Sequence, residues 1–231
     1  MNRRFCIIFI AVLLAGISKP VGIAGQEIIT ADKYLTQVGE VYGTIKDYSA
    51  RIVVAAGKTE MSGSILYRTP NLVRIDFLKP EEQVIAFNGN TLTVYLPEFR
   101  AVLSQTTSGS SKAGGAALAT AQGLNLLRKN YISAYTVGPD PIPLDEKSQD
   151  LVIKLTLSRR SLAEGFREII LSIDPESKLI RRIDGTTLAG ERIVFTFSDI
   201  KLNQGIPESR FAYDAPASAN VYNNFLFKDA N

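Results

Sequence analysis

No histidine and no tryptophan occur anywhere in the 231 residues, and the single cysteine is Cys6. Without imidazole, Ser-His-Asp and Cys-His nucleophile systems are excluded, as are histidine-ligated zinc sites and histidine general bases. Charge of one sign is also in short supply: 26 Lys and Arg stand against 23 Asp and Glu, a formal net charge of +3. A mean hydropathy of +0.06, with 45% hydrophobic and 21% charged residues, fits neither a disordered chain nor a multi-span membrane protein. The length suits one large domain or two small ones.

The small positive balance is concentrated at the amino terminus. Asn2, Arg3 and Arg4 precede an apolar run from Phe5 to Ile17, broken only by Gly16, and Lys19-Pro20 follows. Gly22 and Ala24 stand where a signal peptidase requires small residues, which predicts a secretory signal peptide over residues 1–24 and a single domain over 25–231. The run would rise only about 20 Å as a helix, too short to span a bilayer. Removal of this leader takes Arg3, Arg4 and Lys19 with it and no acid, leaving 207 residues with 23 bases and 23 acids. A formally neutral chain loses the main electrostatic support for nucleic acid. Cys6 opens the apolar run instead of following it, so it is no lipidation site. The expected product is cysteine-free, unlipidated, soluble and exported to a bacterial periplasm.

Past the leader, Thr30 is a plausible N-cap for a helix to about Thr44, on which Tyr34, Leu35, Val38, Val41, Tyr42 and Ile45 form one stripe. The period then changes to two. Strands are expected over Asp47–Ala56, Met61–Arg68, Leu72–Phe77, Gln83–Phe87 and Thr91–Leu96, with Asn88-Gly89 marking a tight hairpin. Gln105 to Gly115, rich in Ser, Thr and Gly, reads as a mobile stretch feeding a helix over Ala116–Lys129, either a lid or an ordinary helix filling one end of a sheet. Strands resume at Tyr131–Val137, Leu151–Ser158, Arg167–Asp174, Leu179–Thr187 and Arg192–Lys201. The fold class is mainly β: one curved antiparallel sheet of about ten strands, an incomplete half-barrel with two helices as plug or lid. Two helices are few to cover that much one-sided sheet, which leaves room for an apolar pocket unless Tyr67, Phe77 and Phe197 fill it themselves.

Enzymatic alternatives are weak. Ser161-Leu-Ala-Glu164 follows Arg159-Arg160, but a capping or turn role accounts for it. Asp174, Glu176 and Asp184 lie near hairpins, where acids are common. No metal-ligand spacing or phosphate loop is present, and Gly109 to Gly115 lacks the spacing for one. The reading is non-enzymatic, with no catalytic residue, cofactor or metal.

Gly63-Ser-Ile-Leu-Tyr-Arg-Thr-Pro-Asn-Leu-Val-Arg-Ile-Asp-Phe77, then Pro80-Glu-Glu-Gln-Val-Ile85, Asn88-Gly89 and Val94-Tyr95-Leu-Pro97, resemble the outer-membrane lipoprotein carrier (LolA) family. Phe211-Ala-Tyr-Asp-Ala-Pro216 extends the likeness along the chain. The resemblance implies a monomeric periplasmic shuttle. It would take acylated lipoproteins from an inner-membrane releasing transporter to an outer-membrane acceptor, their acyl chains held under a helical lid. The candidate acyl-chain positions are Ile52, Val54, Ile65, Tyr67, Val73, Ile75, Phe77, Leu92 and Val94 on the strands, with Leu118 and Leu124 on the lid; core packing competes for each. The family's lid-gating arginine immediately precedes the proline, where this chain has Thr69. Arg68 inherits that role only if a bulge realigns it, since a one-residue shift reverses the face; Arg74 is the second candidate. The alternative is a periplasmic lipid-binding sensor or structural module of the same shape that shuttles nothing.

Overall fold

The computed structural model describes residues 29–106, 118–161 and 165–224, so the predicted signal peptide lies outside the described residues. Helix α1 (Ala31–Thr44) begins where Thr30 accepts a hydrogen bond from the Lys33 amide at 3.2 Å, with Asp32 in the first turn complementing the helix dipole. Tyr34, Leu35, Val38 and Tyr42 are buried along one stripe, as their spacing dictates.

The strands that follow are β1 (Asp47–Ala56), β2 (Thr59–Arg68), β3 (Leu72–Lys79), β4 (Val84–Phe87), β5 (Thr91–Leu96) and β6 (Ala101–Thr106). Helix α2 (Ala121–Asn130) runs directly into β7 (Tyr131–Tyr135). After it come β8 (Ile142–Pro143), β9 (Leu151–Arg159), β10 (Phe166–Ile173), β11 (Ile180–Thr187), β12 (Arg192–Leu202) and β13 (Asn220–Asn223). Together they make one open sheet in the order β13-β6-β5-β4-β3-β2-β1-β12-β11-β10-β9-β7, with β8 beside β9. Every pairing is antiparallel except β13 with β6.

Thirteen strands are found among the described residues where about ten were expected. The additions are β6, β8 and β13. The chain reaches β6 through a single 3₁₀ turn, Pro97–Phe99, and a left-handed Arg100 (φ 46°), a reversal that no glycine announces. Gln105 and Thr106, expected in a mobile stretch, close β6; the rest of that stretch, 107–117, lies outside the described residues. The expected central helix is shorter than its pattern, starting where Thr120 caps the Gly123 amide at 3.0 Å.

The two faces of the sheet are covered differently. Both helices lie on the inner face, where they and the strands share one large apolar core. The outer face is crossed by two straps. Residues 203–219 cover Val84, Ala86, Tyr95 and Val102 with Tyr213, Ala215 and Ala219, and set Ile206 and Phe211 on Leu72. The connection around β8 crosses the other half, where Arg182 grips Asp145 at 2.6 Å and Lys154 donates to the Leu144 carbonyl at 3.0 Å.

Between β2 and β3 the register shifts at Ser62/Gly63, and a Cβ on Gly63 would lie 2.3 Å from the Asp76 carbonyl oxygen. Only glycine permits that approach.

Candidate functional site

Side-chain direction on the inner face follows from the register. Ile52 pairs with Gly63, Gly63 with Phe77, Ile65 with Ile75, Tyr67 with Val73, Val73 with Phe87, Phe87 with Leu92, and Ile85 with Val94. Directly paired residues share a face, so all nine strand positions nominated from sequence are brought together on the side that carries the helices. Ile52 and Ile65 are fully buried, and Val54, Tyr67, Val73, Ile75 and Phe77 are buried. Leu92 and Val94 are half-buried towards the sheet edge.

Alternation in β9–β12 supplies the other half of this face, which the list of candidates omitted: Leu155, Leu157, Ile169, Leu171, Ile183, Phe195 and Phe197 are buried in the same core. The signal was present in Leu155/Leu157 and Phe195/Phe197. Met61, Ile85, Phe166 and Ile193 are half-buried around it.

Helix α2 closes over this face with Leu124 and Leu127, and Leu118 packs half-buried just ahead of it. The Tyr48 hydroxyl donates to the Ala119 carbonyl at 3.1 Å, tying the start of the helix to β1. Tyr42 accepts from the Ile180 amide at 3.0 Å, Tyr135 donates to the Ile29 carbonyl at 2.7 Å, and Tyr131 donates to the Phe166 carbonyl at 3.0 Å. The Tyr48, Tyr42 and Tyr135 hydroxyls fasten the helical roof to the sheet, and that of Tyr131 ties β7 to β10. Burial pushes the phenols of Tyr42 and Tyr48 well up; burial, with Tyr135 and Asp174 nearby, raises Tyr34 to about 12. All three are neutral at any physiological pH. Among the described residues the single buried carboxylate is Asp47, and it serves the outer strap, accepting from the Gln204 and Gly205 amides at 2.7 and 3.0 Å. An apolar face with neutral hydroxyls at its seams can solvate hydrocarbon.

The space is well filled. Tyr67, Phe77 and Phe197 occupy the middle of the face. A narrow cleft of about 230 Å³, its open mouth included, is lined by Tyr42, Ile45, Tyr48, Ala119, Phe197 and neighbouring apolar residues. A wide pocket standing open under the helices, the other expectation, is not what the described residues form. Leu124 is completely enclosed, so it belongs to the packed core of this closed arrangement.

Arg68 and Arg74 are placed differently from the lid-gating expectation. No register shift falls between Gly63 and Arg68 on either neighbouring strand, so no bulge realigns Arg68. It faces outward, donating to the Ile206 carbonyl at 2.5 Å, 3.9 Å from Glu208. Arg74 also faces outward and binds the Arg210 and Ala212 carbonyls, both at 3.0 Å, with Asp76 at 2.8 Å. Both arginines hold the carboxy-terminal strap, on the side of the sheet away from α2. Of the acids weighed for catalysis, Asp174 accepts from the Glu176 and Ser177 amides in its turn and Asp184 pairs with Arg192 across a hairpin, while Glu164 lies outside the described residues.

Comparison with known proteins agrees with this architecture. Residues 53–214 match the family described as outer membrane lipoprotein carrier protein LolA. An outer-membrane lipoprotein carrier protein of Pseudomonas putida (strain GB-1) is 26% identical over 196 residues, covering 81% of this chain and 85% of the relative. Among solved structures, an uncharacterized conserved protein from Thermus thermophilus superposes with a TM-score of 0.54 at 15% identity, over 84% of this chain and 98% of that one. MucB in the Pseudomonas aeruginosa MucA/MucB complex gives 0.50 at 14% identity, over 83% and 63%. Fold likeness at such identities speaks for architecture alone, whereas the family match spans most of the described chain: this protein belongs to the LolA family of outer-membrane lipoprotein carriers.

Proposed function

We propose that the protein is a periplasmic carrier that takes up the acyl chains of lipoproteins on its inner face and moves them from the inner to the outer membrane. The observation that supports this most is the single continuous apolar face of an unclosed sheet, roofed by only two helices and carrying no buried carboxylate among the described residues. The natural partners of such a carrier are an inner-membrane lipoprotein-releasing transporter and an outer-membrane acceptor. No helix among the described residues is long and apolar enough to cross a membrane.

Energetics favour a loosely held cargo. Three chains of about 45 methylenes in all, at about 0.8 kcal/mol each, would release roughly 36 kcal/mol on leaving water. Non-covalent affinity saturates near about 20 kcal/mol. Water is therefore the wrong reference: the carrier exchanges chains with membranes and needs only near-parity with them. A face packed with Tyr67, Phe77 and Phe197 suits that exchange, because cargo must displace existing apolar contacts and is returned easily.

The same filling favours a second reading, a lipid-binding sensor or structural module without transfer. Lipid extraction and native mass spectrometry of protein purified from the periplasm separate the two. Co-purifying diacylated or triacylated lipoprotein is the expected result for the carrier. Free phospholipid alone points to the second reading, and no bound lipid together with no uptake of a hydrophobic dye sinks both.

A further inference from the structure

Where α2 runs into β7, the inner face changes character. Leu124, Leu127 and Tyr131 continue the buried stripe of the helix. Arg128 follows Leu124 by four residues and so lies on this inward stripe. Arg159 is the register partner of Tyr131 and continues the alternation of Leu155 and Leu157, which places it on the inner face as well. The two arginines thus flank Tyr131, one a helical turn before it and the other across the strand pair.

Each is half-buried, and each has a fully enclosed guanidinium nitrogen with no hydrogen-bond acceptor among the described residues: Nε of Arg128 and Nη1 of Arg159. A buried, unmatched N–H on a cation is costly, and two such groups beside one tyrosine mark a position shaped for an acceptor. Arg181 also has an enclosed Nε, but its guanidinium is already engaged by Asp150 at 3.1 Å. No carboxylate of the described residues pairs with Arg128 or Arg159; the ion pairs formed by Arg51, Arg68, Arg74, Arg181, Arg182 and Arg192 all involve other sites. The surroundings add positive charge. Lys129 is exposed in the last turn of α2, and Arg160 is held close by its Nε donating to the Tyr131 carbonyl at 3.1 Å.

Beside this cationic end the face is apolar again. The Tyr131 hydroxyl reaches the Phe166 carbonyl, and the Phe166 ring lies so close over Gly185 that an added Cβ would meet it at 2.7 Å. Ile193, the partner of Gly185 on β12, is half-buried next to it. Two planar guanidinium groups on one face, on either side of Tyr131, match an oxyanion with two or more acceptor oxygens, and an apolar face leading away from them matches hydrocarbon.

We propose that Arg128 and Arg159 bind a phosphate group, that of an anionic phospholipid whose acyl chains lie on the inner face. This rests on the acyl-binding reading above and adds a headgroup specificity to it. The test uses delipidated protein incubated with dispersed dioleoyl phosphatidylglycerol or with dioleoylglycerol, which has the same chains and no phosphate, and counts bound lipid by native mass spectrometry. A second arm measures the thermal midpoint in inorganic phosphate against chloride at equal ionic strength. The expected result is about tenfold stronger retention of the phospholipid. The Arg128→Gln/Arg159→Gln double variant should lose that preference while retaining dioleoylglycerol as before, and Arg128→Lys/Arg159→Lys should keep part of it. Equal retention of both lipids, with a phosphate-induced rise in midpoint that the Gln variant loses, would support an anion site whose occupant is free phosphate. Equal retention with no phosphate effect, or a preference that survives in the Gln variant, overturns the site and leaves acyl binding standing. Retention of neither lipid removes the acyl-binding reading, and the phosphate arm then decides the anion site alone.

Discussion

Arg74 stands between Val73 and Ile75, two residues of the inner face, so its own side chain projects to the outer one. There it does several jobs at once: two strap carbonyls, both oxygens of Asp76, and the ring of Tyr213 with its centroid 5.7 Å away. A planar fork can serve these directions together, whereas an ammonium cannot. Arg74→Ala should lower stability by about 1–2 kcal/mol, the cost of charge-assisted bonds discounted for partial exposure. The loss should read as a lower urea midpoint and as faster amide exchange in residues 204–213, with lipid uptake unchanged. Loss of uptake without loss of strap protection would return Arg74 to the gating role that its distance from α2 argues against. Strand parity made this placement readable: the sequence already put Arg68 one position away from the family's arginine, and nothing in the register restores it.

At the scale of elements, α2 is the part whose attachment decides access to the inner face. It is short, and Gly123 falls within it. The turn leading into it is tied to the sheet by the Tyr48–Ala119 hydrogen bond, while Leu124 and Leu127 anchor the middle. Charge at Leu124 would therefore unfold this region, because an aspartate there has no water and no partner, so the enclosed residue is unsuited to testing a lid. Tyr48→Phe is the better probe. It removes one buried hydrogen bond, worth about 1 kcal/mol, and leaves the ring packed 5.2 Å from that of Tyr67. A shift of that size changes an opening equilibrium about fivefold, so uptake of a hydrophobic dye should quicken by up to about fivefold while the thermal midpoint falls slightly. A fall in midpoint with no change in uptake rate would show that undocking of this turn is not on the path of cargo entry.

For the whole molecule, alternation in β1–β3, β5 and β9–β12 made the face, the order of elements and most strand limits legible, whereas β4 reads only as a short apolar run because its Val84 and Ala86 are buried on the outer face as well. What the sequence hid has other causes. β13 (Asn-Val-Tyr-Asn) has no apolar rhythm and is a strand only because β6 offers its edge, and β8 is two residues within a proline-rich connection. The carboxy-terminal strap depends on arginine–carbonyl contacts between residues more than 130 positions apart, which no local pattern encodes. The absence of histidine, in contrast, carries a prediction for the entire fold. Hydrogen bonds from Arg182 hold Asp145 below the usual carboxylate range; for Asp174 burial would raise the pKa, but bonds from Ser177 and the Glu176 amide outweigh it. Stability from these depressed groups is present above the unfolded carboxylate value near 3.9 and is lost as pH falls through their lower folded values. The buried phenols of Tyr34, Tyr42 and Tyr48 act in the opposite sense: their contribution is present below about pH 10 and is lost as pH rises toward their raised folded values. No imidazole titrates between these limits. Urea midpoints should accordingly be flat from about pH 5 to about pH 9, falling below about pH 4 and above about pH 10. A slope inside the plateau would mean that cargo release could be driven by acidity; a flat plateau leaves partner contact and exchange with membranes as the means of unloading.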